Sequence, residues 1–415
     1  MRLQLTDYEN GLLAGQQGDI ARRAIEQQIA VGEFFGAPSF VPVSSSHIMA
    51  TMESLGEVGY QLFEEIVNAG QGFAVPLTTN SRCVDPAAAA TLRQDPDFVE
   101  REGSLVNLLA KGGAYTVNTC IPYQTVYQPH FGEHVAWGDT GAVTYANAVL
   151  GARTNYESGP AALWAAITGR TPRYGFHLDE ARRGTIHVPV TAELSDLADW
   201  GALGAAIGRR ITDYWTVPVI EFRNAPAPTS DDLKHLCASI ASHGSMAMFH
   251  IVGMTPEAPT LSAAFGARKP ERTIEIGSRE IEEIYQRYAA KPGPVELVVF
   301  TAPQLSLFEL RMIAELLGDR KVHSATRLIV TTSRSNAESA KDLGYLQKIE
   351  AAGALVLRET CWYIMSPERM RETFGWEKVI SNSAKLVNNI GGARYESVLL
   401  RTKDCIEAAV AGEIH

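Results

Sequence analysis

Cysteine is scarce in this sequence, and no two cysteines form a close pair. The chain has 415 residues but only 5 cysteines, and no CxxC spacing occurs. Cysteines so few and so scattered exclude the disulfide framework that stabilises small secreted domains. Each is therefore a free thiol, a metal or cluster ligand assembled from distant segments, or a small buried apolar side chain. The five are Cys83, Cys120, Cys237, Cys361 and Cys405.

Long apolar runs and clusters of basic residues are also missing. No stretch approaches the roughly 18 uncharged apolar residues of a membrane-spanning helix, and acidic residues stand where a secretion signal needs an apolar segment. With 47 acidic against 37 basic side chains, the net charge of −10 repels phosphate backbones and anionic lipids. We expect a cytoplasmic protein that binds neither nucleic acid nor membrane.

Several common catalytic motifs are absent as well. The sequence contains no GxGxxG fingerprint, no P-loop, no GxSxG elbow and no HExxH helix. These absences exclude the usual dinucleotide-binding, nucleotide-hydrolysing, α/β-hydrolase and zinc-protease sites. The composition, in contrast, is that of a large globular protein, because 46% of the residues are hydrophobic and 20% are charged. At about 100–200 residues per domain, the length allows about two to four domains.

The order of the predicted elements favours an α/β fold. A capping-box spacing from Thr6 to Glu9 predicts the start of a helix, and strands over residues 40–43 and 73–76 flank a helix over residues 52–69. Polar residues follow both strands. In α/β domains the ligand binds at the carboxyl ends of the strands, so these polar residues are candidates for a site.

The rest of the chain repeats this alternation. Further strands are predicted over residues 114–119, 244–252, 296–301, 327–332 and 353–358, and further helices over residues 306–317, 337–352 and 404–411. Residues 222–231 are a candidate linker, although a surface loop before a helix explains them equally well. We therefore predict an N-terminal α/β region of residues 1–225 and a C-terminal α/β region of residues 226–415.

Two cysteines directly follow predicted strands. Cys120 follows residues 114–119, and Cys361 comes soon after residues 353–358. Two thiolates at strand ends of separate units can converge on iron or on an iron–sulfur centre, since sulfur ligands suit both. The alternative for each is an inert buried thiol.

Three polar side chains are candidates for binding a small acid. His47 follows three serines at a strand end, where it can polarise a hydroxyl leaving group or bind a carboxylate, or simply make a structural hydrogen bond. Arg334 and Lys385 place cations beside hydroxyl groups where helices begin, an arrangement that suits a carboxylate or phosphate. The alternative is that both are solvated surface bases.

Ten segments in order along the chain resemble one family, aconitase X. They are LTDYE from residue 5, SSSH (44–47), VPLTTN (75–80), TCIPYQ (119–124), FGEHVAWGDTGAVTYANAVLGARTN (131–155), AAITGRTPRYGFHLDEARRG (165–184), MFHIVGMTPEAP (248–259), VTTSR (330–334), ETCWYIMSP (359–367) and SNSAK (381–385). The resemblance implies an aconitase-like fold, in which parallel sheets flanked by helices form several units around a cleft. It also implies a small swivelling domain that completes the cleft, either fused or supplied as a separate subunit.

The resemblance implies roles for residues of these motifs. Iron, as an iron–sulfur cluster or a mononuclear ion, would be held by Cys120 and Cys361. Cys83 is the candidate for a third ligand because of its own position near a strand end. His47 and Ser46 would be catalytic. The residues implied for substrate binding are Thr78, Thr79, Asn80, Asp139, Thr140, Arg153, Ser333, Arg334, Asn382, Ser383 and Lys385. This sequence departs from the family at the position of a frequent third cysteine, where it has Ala302, and at Gln304, where a histidine is common.

The implied activity is a dehydration that removes a hydroxyl group β to a carboxylate. Such a reaction needs a base at the α-carbon and a Lewis acid on the departing oxygen. We expect the large subunit of a heteromeric hydro-lyase, since a fused enzyme needs well over a hundred further residues. The expected substrate is cis-3-hydroxy-L-proline, converted to a pyrroline-2-carboxylate. The alternatives are a mevalonate 5-phosphate dehydratase large subunit and a catalytically silent homologue that binds the partner without an intact cluster.

Overall fold

Parallel β-sheets flanked by helices form the framework of the protein. The computed structural model describes residues 3–224 and 227–414. Its strands are Phe40–Pro42 (β1), Ser46–Ile48 (β2), Leu77–Thr79 (β3), Ala136–Trp137 (β4), Arg170–Pro172 (β5), Ile186–Val190 (β6), Pro218–Phe222 (β7), His250–Ile251 (β8), Arg272–Thr273 (β9), Gly293–Pro294 (β10), Leu297–Leu305 (β11), Arg327–Thr332 (β12), Leu355–Arg358 (β13), Lys378–Ser381 (β14), Glu396–Leu399 (β15) and Glu413–Ile414 (β16).

Helices connect most of these strands. They are Asp7–Leu13 (α1), Asp19–Phe34 (α2), Met52–Asn68 (α3), Pro96–Lys111 (α4), Pro122–Thr125 (α5), Thr140–Ala148 (α6), Pro160–Thr168 (α7), Leu197–Gly208 (α8), Ser230–Gly244 (α9), Leu261–Ala264 (α10), Ser278–Arg287 (α11), Leu307–Leu317 (α12), Arg334–Asp342 (α13), Tyr345–Ala351 (α14), Pro367–Phe374 (α15), Ala384–Asn389 (α16) and Thr402–Ala411 (α17). Among the described helices, none has both the length and the apolar character needed to cross a membrane.

The strands form three parallel sheets and two short antiparallel pairs. The largest sheet has the order β13-β12-β11-β14-β15, a second has the order β8-β7-β6-β9, and a third has the order β3-β2-β4. The antiparallel pairs are β1 with β5 and β10 with β16. This arrangement confirms the predicted α/β fold with several parallel sheets and flanking helices.

Strand β11 shows why the largest sheet is buried on both faces. Leu297 and Val299 pack in one apolar cluster with Trp362, whereas Val298 and Phe300 pack in another with Leu310 of α12. Since successive side chains of a strand point to opposite faces, both faces of the sheet need helical cover. The carboxyl ends of its strands therefore remain as the open edge where polar loops gather.

Local sequence signals place several elements correctly. Thr6 begins α1 as predicted, with its backbone N–H donating to the Glu9 carboxylate at 2.7 Å. Helix α3 covers Met52–Asn68, and β12 has the predicted bounds of residues 327–332. Ser306 begins α12 and accepts a hydrogen bond from the Glu309 backbone N–H at 3.2 Å.

Other predicted elements are wrong in position or extent. Residues 73–76 form no strand, because the backbone N–H groups of Ala74 and Val75 donate to the Ala166 carbonyl at the end of α7; the strand is Leu77–Thr79 instead. Residues 114–119 pair with β3 only at Tyr115, and Asn118 has a positive φ of 47° that breaks the extended backbone.

Two further predictions changed in extent. The single helix predicted over residues 337–352 is two helices, α13 and α14, because Gly344 adopts a left-handed φ of 79° between them. The strand predicted over residues 244–252 is only His250–Ile251. The predicted boundary between residues 225 and 226 lies outside the described residues. On either side of it, β7 and β8 belong to one sheet, and Thr229 begins α9.

Candidate active site

Two cysteines from distant segments meet at the end of β11. The Gln304 backbone N–H donates to the Cys120 Sγ at 3.2 Å, and the Thr301 Oγ1 lies 3.5 Å from the Cys361 Sγ. Cys120 is 6% exposed and Cys361 is 4% exposed. Burial, the Cys361 thiol and the Asp139 carboxylate raise the pKa of Cys120 to about 12, and burial raises the pKa of Cys361. Without a bound cation, both thiols are therefore neutral near pH 7.

Cys83 does not join this pair. It is fully buried, its backbone N–H donates to the Glu102 Oε1 at 3.3 Å, and burial together with Glu102 raises its pKa far above that of a free thiol. Within residues 3–224 and 227–414, no group of three or more histidine, cysteine, aspartate or glutamate side chains is placed to hold a metal ion. Ala302 carries no donor side chain. An iron–sulfur cluster on three cysteines therefore does not fit these residues, and Cys83 as the third ligand is a prediction that its position does not support.

A buried cation faces the two thiols. The Lys385 Nζ donates to the Thr140 Oγ1 at 2.9 Å and lies 4.0 Å from the Asp139 carboxylate. Burial disfavours its charged form, but the Asp139 carboxylate favours it, and the pKa of Lys385 is raised above that of a free lysine. The ammonium is therefore charged at neutral pH and available to a second anion.

Asp139 holds this part of the site in place. Its Oδ1 accepts from the Ala142 backbone N–H at 3.1 Å and so caps the start of α6. Its Oδ2 accepts from the Asn80 Nδ2 at 3.0 Å. The first turn of α6 and the loop after β3 are thereby fixed against each other, which brings Asn80, Asp139, Thr140 and Lys385 together as the family resemblance implied.

His47 is buried on β2 beside the same aspartate. The Thr78 hydroxyl lies 3.2 Å from the Ser46 carbonyl, which can only accept, and 2.8 Å from the His47 Nδ1. The Thr78 hydroxyl has one hydrogen to donate, and the roles in its contact with His47 depend on which ring nitrogen carries the hydrogen. Within the described part of the chain the His47 Nε2 has no hydrogen-bond partner. Burial lowers the pKa of His47 to about 4, against the opposing effects of Asp139 and the Thr119 backbone.

Ser46 has a structural position. Its hydroxyl lies 2.6 Å from the Ala162 carbonyl and 3.0 Å from the Ala136 carbonyl, deep in the fold. The hydroxyl hydrogen is therefore used to join β2 to α7 and β4. Ser46 supports the neighbouring His47 rather than presenting its hydroxyl to the two thiols.

An open cleft of about 520 Å³ lies next to the segments that lead into Cys120 and Cys361. Thr119, Ser333, Arg334 and Glu359 contribute to its lining. Ser333 begins α13, and the Arg334 Nη2 donates to the Glu359 carboxylate at 2.7 Å while most of its side chain stays exposed. The structure confirms that Arg334 lies beside hydroxyl groups at the start of a helix.

Three implied substrate residues have structural partners, and a fourth lies elsewhere. The Thr79 hydroxyl donates to the Asn118 Oδ1 at 2.8 Å, the Asn382 Nδ2 donates to the Thr402 Oγ1 at 3.0 Å, and the Ser383 hydroxyl donates to the Ala302 carbonyl at 2.6 Å. The fourth, Arg153, pairs with the Asp179 carboxylate and with the His177 carbonyl, away from Lys385. Arg153 is not brought to the thiol pair.

Three residues near the thiols were missed as site residues. Tyr363 lies under the Lys385 Nζ, with 5.8 Å between the nitrogen and the ring centre. Glu359 accepts from the Asn118 Nδ2 at 3.1 Å as well as from Arg334, and Gln304 contacts both thiol-bearing segments. Tyr363 and Glu359 lie in the motif around Cys361. Their position in this motif could have identified them as candidate site residues.

Comparison with known proteins fits this geometry. Residues 2–180, 184–286 and 295–411 match the first, second and third domains of aconitase X. The chain belongs to the aconitase X family. A solved structure of Thermococcus kodakaraensis aconitase X in its holo-form superposes with a TM-score of 0.87 at 30% identity, over 98% of this chain and 100% of that one.

Aconitase X relatives of two kinds are similar to this chain. The phosphomevalonate dehydratase large subunit of Methanosarcina mazei is 34% identical over 414 residues, which cover 99% of this chain and 98% of the relative. The cis-3-hydroxy-L-proline dehydratase of Pseudomonas aeruginosa is 30% identical over 413 residues, which cover 99% of this chain and 70% of the relative. The chain is thus an aconitase X dehydratase, and the predicted hydro-lyase class is confirmed.

Proposed function

We propose that this aconitase X protein is the large subunit of a hydro-lyase that dehydrates cis-3-hydroxy-L-proline to a pyrroline-2-carboxylate. The observation that carries the proposal is the buried ammonium of Lys385, held by Thr140 and Asp139 opposite the thiol pair. A buried ammonium that already has one carboxylate neighbour can bind the carboxylate of a small amino acid. The relative from Pseudomonas aeruginosa bears the name of this activity.

His47 supplies the proton acceptor in this proposal. Its imidazole is neutral near pH 7, since burial lowers its pKa to about 4, and we assign its single ring hydrogen to Nδ1, beside the Thr78 hydroxyl. The buried Nε2 lone pair is therefore free to accept a proton or a hydrogen bond from the substrate. Loss of the α-proton to this nitrogen and departure of the β-hydroxyl as hydroxide leave a C=C bond. Transfer of the same proton from the Nε2 to the hydroxide then releases water and restores the neutral imidazole. The alternative acceptor is a group supplied by the partner subunit.

The role of iron rests on Cys120 and Cys361 alone. A metal ion bound there would act as a Lewis acid on the departing hydroxyl. The described residues do not assemble a third such ligand beside these two thiols. We therefore assign this chain's own residues to substrate binding and proton transfer.

A separate small subunit is the proposed partner. Several relatives at similar identity are named as large subunits. The cleft next to the segments that lead into the two cysteines is open, with Glu359 and Arg334 at its wall. A second chain that closes over it would exclude water from the reacting groups.

One alternative substrate has support of its own. The relatives named phosphomevalonate dehydratase large subunit match this chain along nearly their full length. Arg334 and Ser333, at the start of α13 in the cleft, are groups that could bind a phosphate at a distance from Lys385.

The test is to co-express the chain with its small subunit, purify the complex anaerobically and assay both substrates. Turnover of cis-3-hydroxy-L-proline with at least tenfold higher kcat/KM than mevalonate 5-phosphate supports the proposal. The reverse preference identifies the phosphomevalonate enzyme. Turnover of neither, by a complex that is folded and assembled, identifies a catalytically silent subunit, for which Ala302 is the motivating feature.

A further inference from the structure

Gln304 joins the two thiol-bearing segments. Its side-chain Oε1 accepts from the Thr119 hydroxyl at 2.8 Å. Its Nε2 donates to the Asn118 carbonyl at 3.3 Å and to the Thr360 carbonyl at 3.0 Å. Thr119 directly precedes Cys120, and Thr360 directly precedes Cys361. One amide group therefore bonds to the residue before each thiol.

The orientation of this amide follows from its partners. Both Asn118 and Thr360 offer carbonyl oxygens, which can only accept, so the nitrogen must face them. The oxygen then faces Thr119, whose hydroxyl can donate. Gln304 is fully buried, and a buried amide left without these partners would be strongly unfavourable. The arrangement therefore requires both segments to stay where they are.

The backbone of Gln304 is fixed by a second set of contacts. Its N–H donates to the Cys120 Sγ at 3.2 Å, and its carbonyl accepts from the Lys234 Nζ at 3.2 Å. Lys234 is fully buried and pairs with the Glu309 carboxylate and, at 3.1 Å, with the Asp231 carboxylate. His235 lies 2.9 Å from the other Glu309 oxygen. A buried charge network on α9 thus holds the residue that faces the thiol.

Gln304 is also where all three aconitase X domains meet. Asn118 and Thr119 lie in the first domain, Lys234 lies in the second, and Gln304 with Thr360 lies in the third. A shift of any one domain relative to the others would break at least one of these bonds. The distance between the two thiols is therefore coupled to the packing of the whole chain.

We propose that Gln304 is a positioning residue that holds the Cys120 and Cys361 segments together at the junction of the three domains. It sets the separation of the two thiols without touching the substrate. The inference does not depend on which hydroxy acid is dehydrated, or on whether iron is bound.

The test measures each thiol separately in the full-length chain, purified anaerobically as expressed. Iodoacetamide is added, and the alkylation rate of every cysteine is followed by peptide mass spectrometry. In Gln304→Ala we expect the rates at Cys120 and Cys361 to rise by about tenfold or more, because loss of the joining amide lets both segments open. Cys405, which is buried in a different apolar cluster from either thiol, should keep its wild-type rate.

Two further variants separate positioning from general stability. Thr119→Val removes the hydroxyl that Gln304 accepts from and should raise the rate at Cys120, whereas Thr119→Ser keeps the hydroxyl and should restore the wild-type rate. If Gln304→Ala does not fold, Thr119→Val still tests whether the hydrogen bond between Thr119 and Gln304 protects Cys120. Gln347→Ala, a change on exposed α14, is the matched control.

The proposal is overturned by either of two results. One is an unchanged rate at both Cys120 and Cys361 in folded Gln304→Ala. The other is a parallel rise at all the cysteines, which would show a general loss of stability. Because the readout is thiol reactivity, failure here is distinct from failure of the proposed activity.

Discussion

The role that we propose for His47 depends on its protonation state. Its burial keeps the imidazole neutral, and we assign the single ring hydrogen to Nδ1, beside the Thr78 hydroxyl. An unprotonated Nε2 cannot donate to a leaving hydroxyl but can accept a proton. The sequence analysis allowed His47 to polarise a hydroxyl leaving group, to bind a carboxylate or to make a structural hydrogen bond. A neutral imidazole favours neither of the first two roles, and the role of proton acceptor was not predicted.

Replacing His47 tests that role directly. In His47→Gln we expect kcat for cis-3-hydroxy-L-proline to fall by about 100-fold or more, since general base catalysis contributes about 10²–10⁴. The melting temperature should change little, because glutamine keeps a polar group for Thr78. Steady-state kinetics of the complex with the small subunit, together with thermal unfolding, provide the measurement. A loss of less than about threefold in kcat would assign the base to another residue.

Lys385 should affect substrate binding more than chemistry. In Lys385→Met we expect KM to rise by about tenfold or more, because a charge-assisted hydrogen bond contributes about 1.5–3 kcal/mol. The buried Asp139 also loses its cation, so the free energy of unfolding should fall by about 3 kcal/mol. Kinetics and urea unfolding provide the two values.

A matched variant gives the baseline for this change. Lys341 on α13 is exposed and lies 3.9 Å from the Glu338 carboxylate. Lys341→Met should leave KM unchanged and shift the free energy of unfolding by less than about 0.5 kcal/mol. Equal effects of the two substitutions would contradict a substrate-binding role for Lys385.

At the scale of elements, the residues at the end of β11 determine how many sulfur ligands the candidate site has. Thr301 and Gln304 contact the two thiols, and Ala302 between them packs in the same cluster as Cys361. Ala302 already has a Cβ and a positive φ of 53°, so a thiol can be added there without a change of backbone type. This position is the natural place to restore a third sulfur ligand.

The variant Ala302→Cys should therefore bind iron better than the wild-type chain. We expect a higher ratio of iron and sulfide to protein after anaerobic reconstitution, because three thiolates meet the usual ligand need of a cluster with an open iron. Ala302→Ser, of nearly the same size, should not differ from wild type. Equal iron content in all three proteins would show that residue 302 does not face the metal position.

The helices and strands also show which structural features local sequence patterns can predict. Capping signals at Thr6 and Ser306 and the apolar pattern of residues 327–332 act within a few residues, and the elements that they predict are correct. The strand predicted at residues 73–76 failed because its N–H groups bond to Ala166, far away in the chain. A partner so distant in the chain cannot be predicted from local patterns, because these depend only on hydrophobicity and spacing.

At the scale of the whole molecule, the family motifs predicted which segments form the candidate site, but not which side chains contact each other there. Cys120, Cys361, Asp139 and Lys385 do come together, although their segments lie in different domains. Cys83 and Arg153 stand in or beside motifs of the same kind, yet Cys83 is buried beside Glu102 and the Arg153 side chain pairs with Asp179. Which way a side chain points after a strand depends on tertiary packing, and a motif does not encode it.

The stability of the whole chain should depend on its buried histidines. Burial lowers the pKa of His47, His134 and His243 to about 4 each, whereas unfolded histidine titrates near 6.5. Between pH 6.5 and about 4 the unfolded chain therefore binds protons that the folded chain does not. Since stability rises with pH wherever the unfolded state binds more protons, it must fall as the pH is lowered through this window.

Glu309 extends the loss of folding stability to lower pH. Although burial opposes its ionisation, the Lys234 ammonium and His235 lower its pKa to about 2. The contribution of Glu309 to the free energy of unfolding is present above its pKa in the unfolded chain, about 4.5, and is lost as the pH falls toward 2. The histidine window lies above this one, so measurements at pH 7 and pH 5 isolate the histidines from Glu309.

His243 is the histidine that best tests this account, because it lies on α9 and its Nδ1 contacts the Ser239 carbonyl at 3.0 Å, apart from the thiols. We expect the urea midpoint of the wild-type chain to be lower at pH 5 than at pH 7. In His243→Gln the difference between the two midpoints should shrink, since glutamine takes up no proton when the chain unfolds. An undiminished difference would mean that His243 is already charged in the folded protein, and that burial does not hold its pKa down.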